Sequence, residues 1–315
     1  MSHYTVLVMV DGAKSVSEIQ DAVSAQLAPF IEQYDPDVDH VFEWVDETDE
    51  YMGKFMNETS TMCEMPDGEV VNAKWAGSCY EPVDGGVLIE VPHNERYPSF
   101  EAFVADYCGY TEIPGKPGRY GYRHNPNAKW DWWVTGGRWE GLLKKDMGPG
   151  KPPEDVDMLR RRELFVDEAD ARDKATLFYE RATPIIRGGA QDEDGKRLVL
   201  GWGDSLTAAN TGLRDIEAEQ NHIKENGREN WRYVPADPYP TLEEFVETRY
   251  SRWLCFQTYA VLDLEGVWHS PGEMGWFGMS TDSPDDNMKF RNGFFEKYLK
   301  NLCPDTWLVV VDCHI

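Results

Sequence analysis

Residues 306–315, Thr-Trp-Leu-Val-Val-Val-Asp-Cys-His-Ile, decide which fold this sequence can adopt. The run 308–311 is apolar at every position, which is typical of a central strand that is covered on both faces. Residues 4–10, near the other end of the chain, are also apolar and rich in β-branched side chains, as strands commonly are. We therefore expect the first and the last strand to lie side by side in the centre of one sheet.

Helices with an apolar stripe should pack on this sheet. Apolar side chains recur at spacings of three and four over residues 16–33, which predicts an amphipathic helix broken near Pro29. Residues 290–302 also read as a helix. Segments 97–104 and 239–246 both begin Tyr-Pro-Ser/Thr, with the hydroxyl residue as the predicted N-cap. The likeness of these two segments reflects either a duplication or a common way of starting a helix.

The expected fold class is α+β, with a mixed or antiparallel sheet and helices on one face. A ferredoxin-like arrangement with a large insertion is the more specific expectation. Residues 146–153 are a Gly- and Pro-rich breaker, followed by helical patterns over 154–183 and 213–230 with turn-rich sequence between them. We expect an α/β part at 1–145, a helical, turn-rich insertion at 146–235 and an α/β part at 236–315 that completes the sheet.

The net charge of the chain is −26. This charge argues against proteins that bind nucleic acid by neutralising its phosphates, and against docking on an anionic membrane. Residues 35–50 hold eight of the acids. They form either a solvated acidic face or a mimic of nucleic acid that inhibits a host protein.

The compartment is predicted from what the sequence lacks. No apolar run approaches 18 residues, the first residues carry no basic stretch, and the six cysteines include no Cys-x-x-Cys pair. These features predict a cytoplasmic protein with reduced thiols.

Residues 125–139, Asn-Pro-Asn-Ala-Lys-Trp-Asp-Trp-Trp-Val-Thr-Gly-Gly-Arg-Trp, are the most informative block for function. Tryptophan is rarely concentrated in this way for packing alone, and glycines next to an arginine suit close approach to an anion. The alternatives are a structural aromatic cluster tied by an Asp131–Arg138 ion pair, or a protein interface. Asp131 is a candidate catalytic residue, and the candidate ligand-binding residues of this block are Asn125, Asn127, Trp130, Trp132, Gly136, Gly137, Arg138 and Trp139.

Two further segments carry candidates. The Gly-flanked loop 266–279 offers Trp268 and Trp276 as a pocket rim, with His269 either catalytic or simply hydrogen-bonded. His314 is a candidate ligand contact because it ends the predicted central strand. Its neighbour Cys313 should point to the opposite face, which argues against a Cys–His pair there.

Metal and cofactor signatures are weak. A zinc site would have to combine His124, His269 or His314 from separate segments, so no metal ligand is assigned and the cofactor is unknown. The glycine-rich phosphate loops and the Gly-x-Ser-x-Gly nucleophile motif are absent from the sequence.

Six short blocks, spread over nearly the whole length, form a specific set: residues 1–8, 26–30, 125–132, 136–139, 274–280 and 311–315. In these blocks the chain resembles a family of uncharacterised phage and prophage proteins. The resemblance implies one shared full-length fold and a phage-associated setting, in which the protein would lie in the host cytoplasm. It assigns no activity and no catalytic residue, and the region 146–235 departs most from the family.

Together these features favour an aromatic pocket for a small molecule or nucleotide. In a phage setting the protein would be a counter-defence accessory that binds or breaks a nucleotide signal, with His269 or Asp131 as base and Arg138 as anion clamp. The alternatives are the acidic nucleic-acid mimic and a structural accessory without a ligand. The predicted pocket has Trp130, Asp131, Trp132 and Arg138 as its floor and Trp268, His269 and Trp276 as its rim.

Overall fold

A computed structural model describes residues 2–12, 15–188, 190–191, 197–198, 241–275 and 279–315. The chain divides into two compact units, one formed by Met1–Ala28 with Lys129–Ile315 and the other by Pro29–Ala128. The predicted boundaries at 145 and 235 do not coincide with this division. Residues 199–235 of the predicted insertion lie outside the described residues, so that part stays a prediction.

The secondary structure elements are numbered in chain order. The strands are β1 (His3–Val10), β2 (Glu43–Asp46), β3 (Thr59–Glu64), β4 (Val70–Asn72), β5 (Lys74–Trp75), β6 (Tyr80–Glu81), β7 (Val87–Pro92), β8 (Thr111–Glu112), β9 (Tyr120–His124), β10 (Trp132–Thr135), β11 (Leu143–Lys145), β12 (Glu154–Val156), β13 (Met158–Arg160), β14 (Ala190–Gln191), β15 (Arg197–Leu198), β16 (Ala260–Leu262), β17 (Trp268–His269) and β18 (Trp307–His314). The α-helices are α1 (Val16–Leu27), α2 (Thr48–Asn57), α3 (His93–Arg96), α4 (Phe100–Tyr107), α5 (Glu168–Gly188), α6 (Leu242–Arg249) and α7 (Pro284–Phe294), and Phe295–Leu299 continues α7 as a π-helix.

The central sheet confirms the α+β fold class and the mixed sheet. Its strand order is β10-β18-β1-β16-β17, and β13 also pairs with β18. β1 and β18 are antiparallel along their whole length, whereas β1 and β16 are parallel. As the apolar run predicted, Val309, Val310 and Val311 of β18 are fully buried.

The chain connections differ from a ferredoxin-like sheet. In a ferredoxin-like unit the second and third strands form a hairpin, and the third strand, the later of the two, lies parallel to the first strand. Here β16 lies beside β1 and comes before its hairpin partner β17. The two arrangements therefore share the central pairing of the first and last strands but not the order of the hairpin.

Helices pack on this sheet through their apolar stripes. α1 buries Ile19, Val23 and Leu27 and ends before Pro29, where the sequence predicted a break. Leu7 of β1 belongs to a core cluster that includes side chains of α7 and the π-helix. Fully burying a side chain of this size stabilises the fold by about 2 kcal/mol.

The prediction of a helix over 154–183 is wrong for its first half. β12 and β13 occupy residues 154–160, and α5 begins only at Glu168. Leu159 of β13 is almost fully buried and pairs with Leu308 of β18. Sheet pairing with a distant strand has overridden the local helical pattern, as tertiary contacts often do. The predicted helix at 213–230 lies outside the described residues.

The unit Pro29–Ala128 has its own sheets and core. Its strands form the sheets β2-β9-β8 and β4-β3-β7 and the hairpin β5-β6. Phe103 and Val104 of α4 are fully buried in its aromatic core, and Ser99 caps this helix as predicted. Among the described residues of the whole chain, no helix is both long enough and apolar enough to cross a membrane.

Candidate functional site

Three aromatic rings form a row at one end of the central sheet. Strand pairing places His314 directly opposite His3 on one side and Trp132 on the other. The ring centroids of His3 and His314 are 4.9 Å apart, and Trp132 stacks on His314 at 5.1 Å with an interplanar angle of 15°. Because alternate strand residues share a face, this row lies on the same face as Leu7 and Val310 of the core.

Each histidine of the row is held by an aspartate. Nδ1 of His3 lies 2.9 Å from Oδ1 of Asp312, and Nδ1 of His314 lies 2.5 Å from Oδ1 of Asp131. A carboxylate accepts a hydrogen bond from Nδ1–H, which leaves Nε2 as the basic nitrogen of a neutral ring. Nε2 of His314 is buried and has no hydrogen-bond partner. The two pairs fix the orientation of both rings.

The Gly136–Gly137 pair allows the backbone to close around these carboxylates. Both glycines have positive φ, +71° and +58°. A Cβ added to Gly137 would lie 2.5 Å from Oδ2 of Asp312, and one added to Gly136 would lie 2.7 Å from a carboxylate oxygen of Asp157. The backbone N–H of Arg138 donates to Oδ2 of Asp312 at 3.0 Å. The close approach expected from the glycines therefore exists, and the groups approached are two aspartates of the protein itself.

A cleft of about 510 Å³ opens beside His3. It combines a cation, amide and hydroxyl groups, and aromatic rings. Burial lowers the pKa of Arg291 below its usual value, but a guanidinium keeps its charge at neutral pH. The lining residues that matter for binding are His3, Trp139, Trp253, Gln257, Tyr259 and Arg291.

Two other ionisable groups of the cleft are held in their neutral forms. Burial raises the pKa of the Cys255 thiol to about 12 and that of Tyr259 to about 12. A thiol in that state is a poor nucleophile at neutral pH. Histidine is the residue that enzymes use most often for proton transfer, and His3 supplies one to this lining.

Two candidates from the 125–139 block have structural roles. Trp130 is 7% exposed, and its Nε1–H donates to the carbonyl oxygen of Leu27 at 3.0 Å. Asn125 is fully buried and its side-chain amide donates to the carbonyl oxygens of Pro29 and Ile31. Its Oδ1 accepts from the backbone N–H of Asn127, so these two residues form a turn.

The alternative of a structural cluster tied by an Asp131–Arg138 ion pair is wrong in its choice of partner for Asp131. Asp131 pairs with His314, and the Arg138 side chain is exposed. Asp131 lies in the ring row as a partner of a histidine, because β10 runs next to β18. Trp139 lines the cleft, and its role in ligand binding stays a prediction. The role of Arg138 as an anion clamp stays a prediction.

The two described residues of the predicted rim, Trp268 and His269, do not line the His3 cleft. His269 is bound through Nε2 to Oδ2 of Asp263 at 2.6 Å and does not line the His3 cleft. Although burial opposes it, the hydrogen bond from His269 leaves the pKa of Asp263 below its usual value. Trp268 lies at the edge strand β17, 6.3 Å from the ring of Tyr4. Trp276 lies outside the described residues.

Sequence reasoning missed His3, Asp312 and Arg291. A signal for the first two existed, because pairing the first and last strands antiparallel places His3 opposite His314 once the register is known. Arg291 carried no signal, since it is one arginine on a helix. In the described parts of the chain, no three His, Cys, Asp or Glu side chains are grouped so that they could hold a metal ion.

No protein-family model, curated protein or solved structure matches this chain. The resemblance to phage and prophage proteins therefore stays a prediction. Three of the blocks that carry it meet at the ring row. The row holds His3 from block 1–8, Asp131 and Trp132 from block 125–132, and His314 from block 311–315.

Proposed function

We propose that the cleft beside His3 binds a small molecule of the nucleotide class, and that His3, oriented by Asp312, is its acid–base group. The observation that carries this proposal is the position of His3, which Asp312 orients, on the wall of a cleft that Arg291 also lines.

The lining suits the parts of such a ligand. The planar fork of Arg291 is matched to a phosphate, and the rings of Trp139 and Trp253 suit contact with a flat base. A volume of about 510 Å³ lies within the range of small-molecule sites. The net charge of −26 makes a built-in cation necessary for binding any anion, because the rest of the chain repels it.

The same groups suit hydrolysis of a phosphate ester. Nε2 of His3 would accept the proton of the attacking water, while Asp312 stabilises the imidazolium that forms. Arg291 would stabilise the negative charge that develops on the phosphoryl oxygens. General base catalysis of this kind is worth roughly 10²- to 10⁴-fold in rate.

The biological setting that we propose is a phage-associated accessory protein that counters host defence by binding or breaking a nucleotide signal in the cytoplasm. It rests on the sequence resemblance. The acidic-mimic alternative has less support, because Asp39, Asp46, Asp49 and Glu50 of the 35–50 run are already paired with basic side chains of this chain. A structural accessory without a ligand would leave the cleft without a role.

Thermal unfolding with a panel of mono-, di- and cyclic nucleotides tests the proposal. A ligand at 100 times its Kd stabilises the folded state by about 2.7 kcal/mol. Arg291→Gln should abolish this stabilisation, whereas Arg162→Gln, which removes the same charge at an exposed position outside the cleft, should preserve it. His3→Gln should retain binding and lose any turnover. Absence of stabilisation by every nucleotide at millimolar concentration would refute nucleotide binding.

A further inference from the structure

A second cleft, of about 290 Å³, lies on α7 and the π-helix that continues it. Its lining residues include Ser270, Lys289, Gly293, Lys297 and Tyr298, none of which lines the His3 cleft. It therefore forms a separate concavity in the same unit of the chain.

Among the described side chains, the two lysines of this cleft have no ion-pair partner, unlike three other helical lysines of the protein. Lys54, Lys174 and Lys300 each pair with an acid one turn earlier on their helix. For Lys297 the residue at that position is Gly293, whereas for Lys289 it is Asp285, whose side chain lies outside the described ones. Among the described residues, no carboxylate lies within 4.0 Å of the ammonium group of Lys289 or Lys297. Two cations thus face one cleft in a strongly acidic chain.

The acid in the lining does not neutralise these lysines. Oδ2 of Asp286 accepts a hydrogen bond from the Ser283 hydroxyl at 2.6 Å, and the Ser283 hydroxyl in turn accepts from the backbone N–H of Asp286 at 3.1 Å. Asp286 is therefore part of the N-terminal capping of α7. Its carboxylate is held at the start of the helix by this contact.

The floor between the lysines is open because residue 293 is glycine. No atom lies within 4 Å of the position that a Cβ would take there. The aromatic rings of Phe290 and Tyr298, with centroids 5.7 Å apart, line the same cleft. An open floor, two ammonium groups and apolar walls form a concave site with its charge at the rim.

We infer that this cleft binds the phosphate group of a small molecule. Lysine ammonium groups bind phosphate as point charges. One anion between Lys289 and Lys297 would supply Lys297 with the counter-charge that Lys54, Lys174 and Lys300 obtain from an acid one turn earlier. This inference is independent of the proposed function, since it uses neither His3 nor Arg291.

Calorimetric titration of the full chain with inorganic phosphate and with pyrophosphate tests the inference. We expect saturable binding that Lys289→Gln with Lys297→Gln weakens at least tenfold. The matched control, Lys174→Gln with Lys300→Gln, removes the same charge from lysines that have acidic partners and should change the affinity less than twofold. Equal losses in both double variants would overturn the site, because they would indicate diffuse charge alone.

Gly293→Leu tests whether the shape of the cleft matters for binding when its charge is unchanged. The variant keeps both lysines and places a leucine side chain in the open space. Phosphate binding should therefore fall as strongly as in the double variant Lys289→Gln with Lys297→Gln. Circular dichroism checks that the helix is retained. Unchanged binding in Gly293→Leu, or no saturable binding of either probe to the original chain, refutes the inference. Arg291→Gln should leave phosphate binding here intact, which distinguishes this site from the His3 cleft.

Discussion

Oδ1 of Asp312 lies 2.9 Å from Nδ1 of His3, across a separation of 309 residues in the sequence. The second oxygen of the same carboxylate accepts the backbone N–H of Arg138. Asp312 is 1% exposed, so one buried side chain joins the first strand, the last strand and the Gly-Gly turn. The site is therefore anchored to a buried carboxylate of the central strand, which favours a rigid geometry.

We predict that Asp312→Asn destabilises the protein by about 2 kcal/mol, because it weakens two hydrogen bonds to a buried charged group. Urea unfolding at pH 7 measures the loss. In the variant the Nδ1–H tautomer of His3 should no longer be favoured. ¹⁵N NMR of the imidazole detects this change as a lower protonation of Nδ1. A variant with unchanged stability and an unchanged tautomer would contradict the role of Asp312 as the group that orients His3.

Gly137→Ala should destabilise the fold by roughly 2–4 kcal/mol. The new methyl group would lie 2.5 Å from Asp312 on a backbone with φ of +58°, so both overpacking and backbone strain act. Gly293→Ala is the matched control, because its methyl group enters open space on a helix and should stabilise the protein by up to about 1 kcal/mol. Chemical denaturation of the two variants should therefore give effects of opposite sign.

The surface pair between Asp46 and Arg119 should make stability depend on acid pH. The hydrogen bond from Arg119 lowers the pKa of Asp46 to about 2, below the value of about 3.9 for an unfolded chain. Stability from this pair is present above about pH 4 and is lost as pH falls towards 2. Asp46→Asn should lower the unfolding midpoint at pH 7 and have almost no effect at pH 2. If Asp46→Asn changed the unfolding midpoint equally at pH 7 and pH 2, the Asp46–Arg119 pair would not be the source of this pH dependence.

Trp130→Phe tests whether that tryptophan is structural. The variant keeps the buried ring and removes the donor to the carbonyl of Leu27, which should cost about 1 kcal/mol of stability. Nucleotide binding in the His3 cleft should be unaffected, because Trp130 does not line it. A variant of normal stability that has lost ligand binding would restore Trp130 to the pocket.

The local features of the sequence determined the main strands, the end of α1 near Pro29 and the place of His314 at the end of a central strand. Each depends on neighbouring residues: an uninterrupted apolar run, a proline, or the alternation of side chains along a strand. The same reasoning failed over 154–167, where pairing with β18 overrides the helical pattern.

Only the tertiary structure decided which residues share the site. The ring row depends on the register between strands that lie at opposite ends of the chain, and one residue of slip would turn His3 to the other face. Trp130 and Asn125 entered the core because their donors meet backbone carbonyls from distant segments. Composition and periodicity depend on residues that are close together in the sequence. A site depends on the distances between side chains from segments that are far apart in the sequence.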